Sequence, residues 1–209
     1  MVGDIFLDNN NDVYRGTSGE VQGTVYGDED NDLLIGGEAV DLFDGGADND
    51  TLIGHGGDDS LEGGSGLDVI LGGAGNDEIN GGTDNDTMNA NAGEDTLSGD
   101  GGNDILVGQD GADSLDGGTG NDSIVGSAGN DLLIGGDGND TLIGNNGADR
   151  LYGDGDDGHL IGGLNADSLW GGAGKDRLEG SAGADQLLGG SGKDQLFGSE
   201  GADFLQGDN

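Results

Sequence analysis

The chain has 209 residues, 52 of them Gly and none Pro or Cys, and its 44 acidic against five basic side chains give a formal net charge of -39. No apolar run exceeds three residues, which excludes a membrane-spanning helix of about 20; the lack of Cys excludes disulfides and thiolate metal sites, and the acidity makes nucleic acid and anionic membrane poor partners. A Gly-rich acidic chain with 31% hydrophobic residues stays disordered, unless its acidic residues are ordered in sequence and a cation is available.

At the N-terminus the Met1 end carries neither a basic nor an apolar leader segment. Three short strand candidates follow: Ile5-Phe6-Leu7, Val13-Tyr14-Arg15 and Thr24-Val25-Tyr26, the last after an eleven-residue spacing. They read as worn repeats, so residues 1–26 are expected to form an N-terminal cap. Asp8-Asn9-Asn10-Asn11-Asp12 has the D-x-N-x-D opening of a calcium loop, but an EF-hand would continue with Gly and end in Glu, where Val13 and Gly19 stand. A solvated cap turn is the expectation, with an extra calcium site as the alternative.

From Gly27 to Gln206 the chain divides into twenty consecutive nonapeptides with no insertion or deletion, such as GGAGNDEIN from Gly72 and GGDGNDTLI from Gly135. The first position is Gly in nineteen of the twenty, Ala90 being the exception; the sixth is Asp in nineteen, Gly158 being the exception. The eighth is apolar in all twenty, fifteen of them Leu. The fourth is Gly in fourteen, which suits a turn that needs positive φ. The last three residues of each unit, x-U-x with U apolar, suit a very short strand whose middle side chain faces inward. One apolar residue per nine makes no core by itself, but stacked units make one by placing each Leu on the next. The absence of Pro leaves every strand N–H free for the ladder.

The ninth position alternates over the first half. It reads Ile35, Ile53, Leu71, Asn89, Val107 and Val125 in odd units and Asp44, Glu62, Asn80, Ser98 and Asp116 in even ones. A period of eighteen predicts two units per coil: an all-β, right-handed parallel β-roll of about ten coils. Its two sheets would lie back to back, one with an apolar outer stripe and the other acidic outside. At roughly 4.8 Å per coil the rod would be on the order of 50 Å long. The chain stops at Gly207-Asp208-Asn209, inside what would be the next turn. That predicts a sheet edge covered by a partner or continued by further chain.

If units i and i+2 stack, the sixth-position aspartates form two columns. One holds Asp32, Asp50, Asp68, Asp86, Asp104, Asp122, Asp140, Asp176 and Asp194; the other holds Asp41, Asp59, Asp77, Asp95, Asp113, Asp131, Asp149, Asp167, Asp185 and Asp203. Like charges at that spacing repel, so each gap between turns calls for a cation. Two carboxylates and several inward carbonyls offer six or more oxygens, which suits calcium better than magnesium and does not suit zinc or copper. Ten turns per column leave eighteen gaps, sixteen with both carboxylates because of Gly158, where Asp156 or Asp157 is the substitute ligand to test. Sixteen to eighteen calcium ions would carry +32 to +36 and nearly cancel the chain's -39.

The unit resembles the GGxGxDxUx repeat of RTX (hemolysin-type calcium-binding) proteins over residues 27 to 206. The resemblance implies a parallel β-roll whose GGxGxD turns bind calcium and whose xUx strands stack. It also implies a secreted, extracellular or cell-surface bacterial protein exported by a type I system. The expected function is a calcium-binding module that folds on meeting extracellular calcium and serves structure, adhesion or secretion. The alternative is a non-catalytic module of a larger secreted protease, lipase, epimerase or cytolysin. An ice-binding solenoid would need a flat ladder of Thr and Asn, whereas the third position holds Thr only at Thr83 and Thr119.

No enzymatic activity is expected. Gly153, Gly155 and Gly158 spell GxGxxG without a βαβ unit, neither Lys175 nor Lys193 is followed by Ser or Thr, and His55 and His159 sit at variable positions with no HExxH or GxSxG. Arg150, Lys175, Arg177 and Lys193 gather in the last third and are expected to pair with nearby Asp. The apolar ninth-position stripe is the candidate surface for self-association or for docking another domain, against the alternative of lateral packing within one sheet.

Overall fold

A computed structural model describes residues 4–7, 9–16 and 23–207, and the described residues carry twenty-three strands and no helix. The strands run from β1 (Ile5–Phe6) to β23 (Phe204–Gln206) in chain order. Odd-numbered strands form one sheet of twelve and even-numbered strands one of eleven. Every pairing is parallel, and within the repeats the register advances by eighteen residues, as in Leu52↔Ile70, Met88↔Leu106 and Leu97↔Leu115. Each coil therefore contributes one strand to each sheet, and the chain is an all-β parallel solenoid of two nonapeptides per coil.

The eighth-position side chains face inward from both sheets. Leu34, Leu52, Ile70, Met88, Leu106 and Ile124 descend one sheet; Phe43, Leu61, Ile79, Leu97, Leu115 and Leu133 descend the other, and none is more than 2% exposed. Each buried aliphatic side chain stabilises the stack by about 2 kcal/mol, but only when a neighbouring coil covers it. The core is thus one continuous column rather than a set of separate clusters.

Most strands are longer than the three residues of x-U-x. A typical one, β8 (Val69–Ala74), runs six residues through both glycines of the next turn. Pairing continues there, with Asn91↔Gly73 and Ala92↔Ala74. The reason is that stacked turns are as well aligned as the strands, so the backbone ladder does not stop at the glycines. At the fourth position Gly66 (φ +135°) also lies against the Asp48 carbonyl so closely that a Cβ would collide with it.

Near the N-terminus β1, β2 (Val13–Arg15) and β3 (Val25–Tyr26) join the same two sheets. Here the register advances by twenty, with Ile5↔Val25 and Val13↔Leu33. Tyr14 occupies a core position and packs edge-on against Phe43 at 5.8 Å. Asp8 and Gly19 of the EF-hand comparison lie outside the described residues, as do Asp208 and Asn209 of the last turn.

The outer face of the even-numbered sheet carries Ile35, Ile53, Leu71, Val107, Val125, Ile143 and Ile161, all half-buried. Neighbours above and below cover much of each, and more open apolar positions in this sheet include Val69 at 41%, Phe197 at 42% and Ile105 at 47% exposed. The odd-numbered sheet presents Asp44, Glu62, Asn80, Ser98 and Asp116 outward, then Ile134, Tyr152, Trp170 and Leu188. Tyr152 and Trp170 stack face to face at 4.5 Å, as in-register neighbours on successive coils do.

Candidate metal centre

The sixth-position aspartate is the last residue of the turn before each strand, and its side chain points into the rod. Seventeen of the nineteen, from Asp32 to Asp185, are at most 4% exposed; Asp194 and Asp203, in the final coil, are half-buried. Among the described residues, in all of these but Asp41, Oδ1 accepts a backbone N–H from one coil earlier, which Asp12 supplies to Asp32 and the sixth-position residue supplies to the others. Asp50 Oδ1 takes the Asp32 N–H at 2.7 Å, Asp59 Oδ1 the Asp41 N–H at 2.7 Å, and Asp131 Oδ1 the Asp113 N–H at 2.9 Å. The columns are thereby hydrogen-bonded ladders that hold the carboxylates in one direction, and the Asp32 column is interrupted at Gly158.

The second oxygen is the unusual one. Oδ2 is buried without a hydrogen-bond partner in seventeen of these aspartates; Asp41 differs, its Oδ2 accepting the Gly37 N–H at 2.8 Å. A buried carboxylate oxygen with no donor is costly. First-position glycine is part of the arrangement. A Cβ on Gly45 would lie 2.6 Å from both Asp50 Oδ2 and the Gly63 carbonyl oxygen, and one on Gly63 would lie 2.6 Å from Asp68 Oδ2 and 2.7 Å from the Gly81 carbonyl. The free carboxylate oxygen and a carbonyl of the next coil thus share a space that a larger residue would crowd.

Burial raises the carboxyl groups of the seventeen aspartates from Asp32 to Asp185 above the usual carboxylate range. Asp50, Asp86 and Asp167 are pushed up to about 7. Asp59, Asp77, Asp95, Asp104, Asp113, Asp131 and Asp140 rise to about 6. Desolvation is the largest cause, the accepted backbone N–H opposes it, and the carboxylates of neighbouring residues add to it. A positive charge in each gap would satisfy the orphaned oxygen and remove the penalty.

The donor set fits calcium. Among the described residues no three His, Cys, Asp or Glu side chains converge on one point, because the carboxylates are strung along a line. An ion between turns would take carboxylates from two coils and complete its shell with backbone carbonyls, an all-oxygen set.

Two features escaped the sequence reading, and the substitute ligand expected at Gly158 is corrected. Asp12 continues the Asp32 column upward, since its N–H donates to Asp32 Oδ1 at 2.7 Å; the signal was present in Asp12-Val13-Tyr14-Arg15 as D-x-U-x. The fifth position forms a second, outer ladder in which each side-chain oxygen accepts the N–H of the residue eighteen further on. Asn103, Asn121 and Asn139 are linked in this way at 2.8 and 2.9 Å, and the run of Asn at that position was its signal. At Gly158, Asp156 and Asp157 both lie exposed, and neither turns into the column. His55 is exposed, and His159 is half-buried on the outer face of the even-numbered sheet. Two of the four expected cations pair at the surface: Arg177 lies 2.7 Å from Glu179 and over the Phe197 ring, and Lys175 lies 3.7 Å from Asp157, whereas among the described residues Arg150 and Lys193 form no ion pair.

A family model described as the RTX calcium-binding nonapeptide repeat (4 copies) matches the chain at residues 24–52, 53–88, 62–97, 89–124, 125–160, 152–187 and 188–209. Among curated proteins no significant match is found. The matches span the whole repeat region, in which the buried aspartate ladders recur every eighteen residues, and the chain belongs to the family of RTX calcium-binding nonapeptide-repeat proteins.

Proposed function

We propose that this β-roll module is a calcium-driven folding switch whose ligands are the nineteen sixth-position aspartates, and that it acts outside the cell as a secreted structural, adhesive or export-assisting element. The observation that carries this is the row of buried, unpartnered Oδ2 atoms. Seventeen such oxygens, on a chain of formal charge -39, make the metal-free coil self-repelling and leave its interior incompletely hydrogen-bonded. Calcium supplies the charge that the gaps lack; the rest is done by the chain. Oδ1 holds each carboxylate to the neighbouring coil, first-position glycine keeps the space beside Oδ2 open, and the Leu column fixes the coil spacing. Sixteen gaps within the twenty repeats have an aspartate on both sides, which sets the expected ion count. Extracellular calcium modules bind at about 0.1–1 mM, so the chain would remain open in a calcium-poor cytosol and close after export.

Far-UV circular dichroism during a calcium titration of chelated protein, with magnesium as control, tests this. A cooperative gain of β signal with calcium alone is expected. A β signal that chelator leaves unchanged would overturn the switch.

A further inference from the structure

The Asp32 column is regular at every turn but one. In the other repeats the first-position Gly faces its own aspartate's Oδ2, as Gly45 faces Asp50. Gly153 has no such partner, because its sixth position is Gly158. What lies there instead is the Cδ1 methyl of Leu160, 3.2 Å from where a Cβ on Gly153 would stand and 3.2 Å from where one on Gly158 would stand. Leu160 is wholly buried, so an aliphatic group faces the position from which a carboxylate would reach inward.

The neighbouring bonds change to match. The Asp122 N–H donates to Asp140 Oδ1 at 2.8 Å and the Gly158 N–H to Asp176 Oδ1 at 2.8 Å, but the link from Asp140 to position 158 is missing. Outside the turn, Asp157 Oδ1 accepts the Lys175 N–H at 2.9 Å while its Oδ2 lies 3.7 Å from Lys175 Nζ. These two residues stand on consecutive coils across the gap that lacks a carboxylate. A cation carried by the chain therefore joins the coils there, on the exterior.

We propose that the two gaps flanking residue 158 take no calcium, so that the Asp32 column is divided into a block ending at Asp140 and a short block of Asp176 and Asp194, joined by the Leu160 methyl and the Asp157–Lys175 pair. The inference rests on the calcium reading above. Each flanking gap keeps one column carboxylate, Asp140 or Asp176, and a methyl group cannot replace the missing oxygen donors. Backbone conformation is not the obstacle, since Gly158 is not in the positive-φ region that disfavours other residues. An aspartate could stand there if the flexible end of Leu160 moved aside.

Native mass spectrometry of the calcium-loaded chain tests the division. The wild-type chain should hold sixteen ions, or seventeen if the Asp12–Asp32 gap also fills. Gly158→Asp should hold two more than wild type, and Gly158→Ala none more. An unchanged count in Gly158→Asp, or eighteen or more ions on wild type, would overturn the division. If Gly158→Asp fails to fold, the wild-type count alone decides. A wild-type chain holding no calcium would instead remove the calcium reading and this inference with it, a result distinct from a full complement.

Discussion

Asp50, Asp86 and Asp167 hold their protons to about pH 7, and their counterparts at positions 59, 77, 95, 104, 113, 131 and 140 to about 6. An unfolded Asp titrates near 3.9. A group whose folded pKa is raised stabilises the fold fully below its unfolded pKa and loses that contribution as pH rises through the folded one. The metal-free coil should therefore be most ordered near pH 4 and open as pH climbs through about 6 to 7. Calcium demands the opposite charge state, so with saturating calcium the fold should persist at neutral pH and weaken as protons compete below about 6. Circular dichroism from pH 4 to 8, with and without chelator, should give two curves of opposite slope. Parallel curves would mean that the aspartate columns do not control folding.

At the scale of the strand, each coil adds one buried aliphatic side chain to each sheet and one aspartate to each column, so packing and binding are linked. Ile124 sits in register between Leu106 and Leu142; Ile124→Ala should cost about 3 kcal/mol of packing. If about sixteen ions bind in one concerted folding step, that loss raises the calcium midpoint only about 1.4-fold, because the cost is divided among all the ions. If the cooperative unit held three ions, the same substitution would raise it about fivefold. A titration followed by circular dichroism thus measures the size of the folding unit. Coil length, sheet assignment and the two aspartate columns were legible in the sequence because all follow from a strict period of eighteen. The extension of β8 through Gly72 and Gly73 was not, because it depends on one turn's backbone finding the next. The same holds for the Leu160 methyl beside Gly153 and Gly158, a contact that spacing along the chain does not encode. Asp12 was obscured by the twenty-residue coil, which takes it out of the nine-residue phase although the ladder still receives it.

Over the whole molecule the charge is unevenly spread. Residues 27–149 carry 29 acidic side chains and no Lys or Arg, whereas residues 150–206 carry ten acidic side chains and four basic ones. The second stretch also holds the Tyr152–Trp170 stack, the Asp157–Lys175 pair and the Arg177–Phe197 contact. Exposed ion pairs of this kind contribute little singly, about 0–1 kcal/mol, but the lower charge density lessens the repulsion that calcium must offset. The rod should therefore close from the less charged part. In hydrogen exchange at rising calcium, the amides of residues 150–206 should gain protection at lower calcium than those of 27–149. The difference should shrink in high salt, since the Debye length falls from about 10 Å at 0.1 M to about 3 Å at 1 M and the acidic stretch gains most from screening. Simultaneous protection of both stretches at every salt concentration would show that the eighteen-residue ladder transmits order faster than charge density can divide it. Earlier protection of residues 27–149 would mean that the density of calcium gaps, rather than repulsion, sets the order of closing.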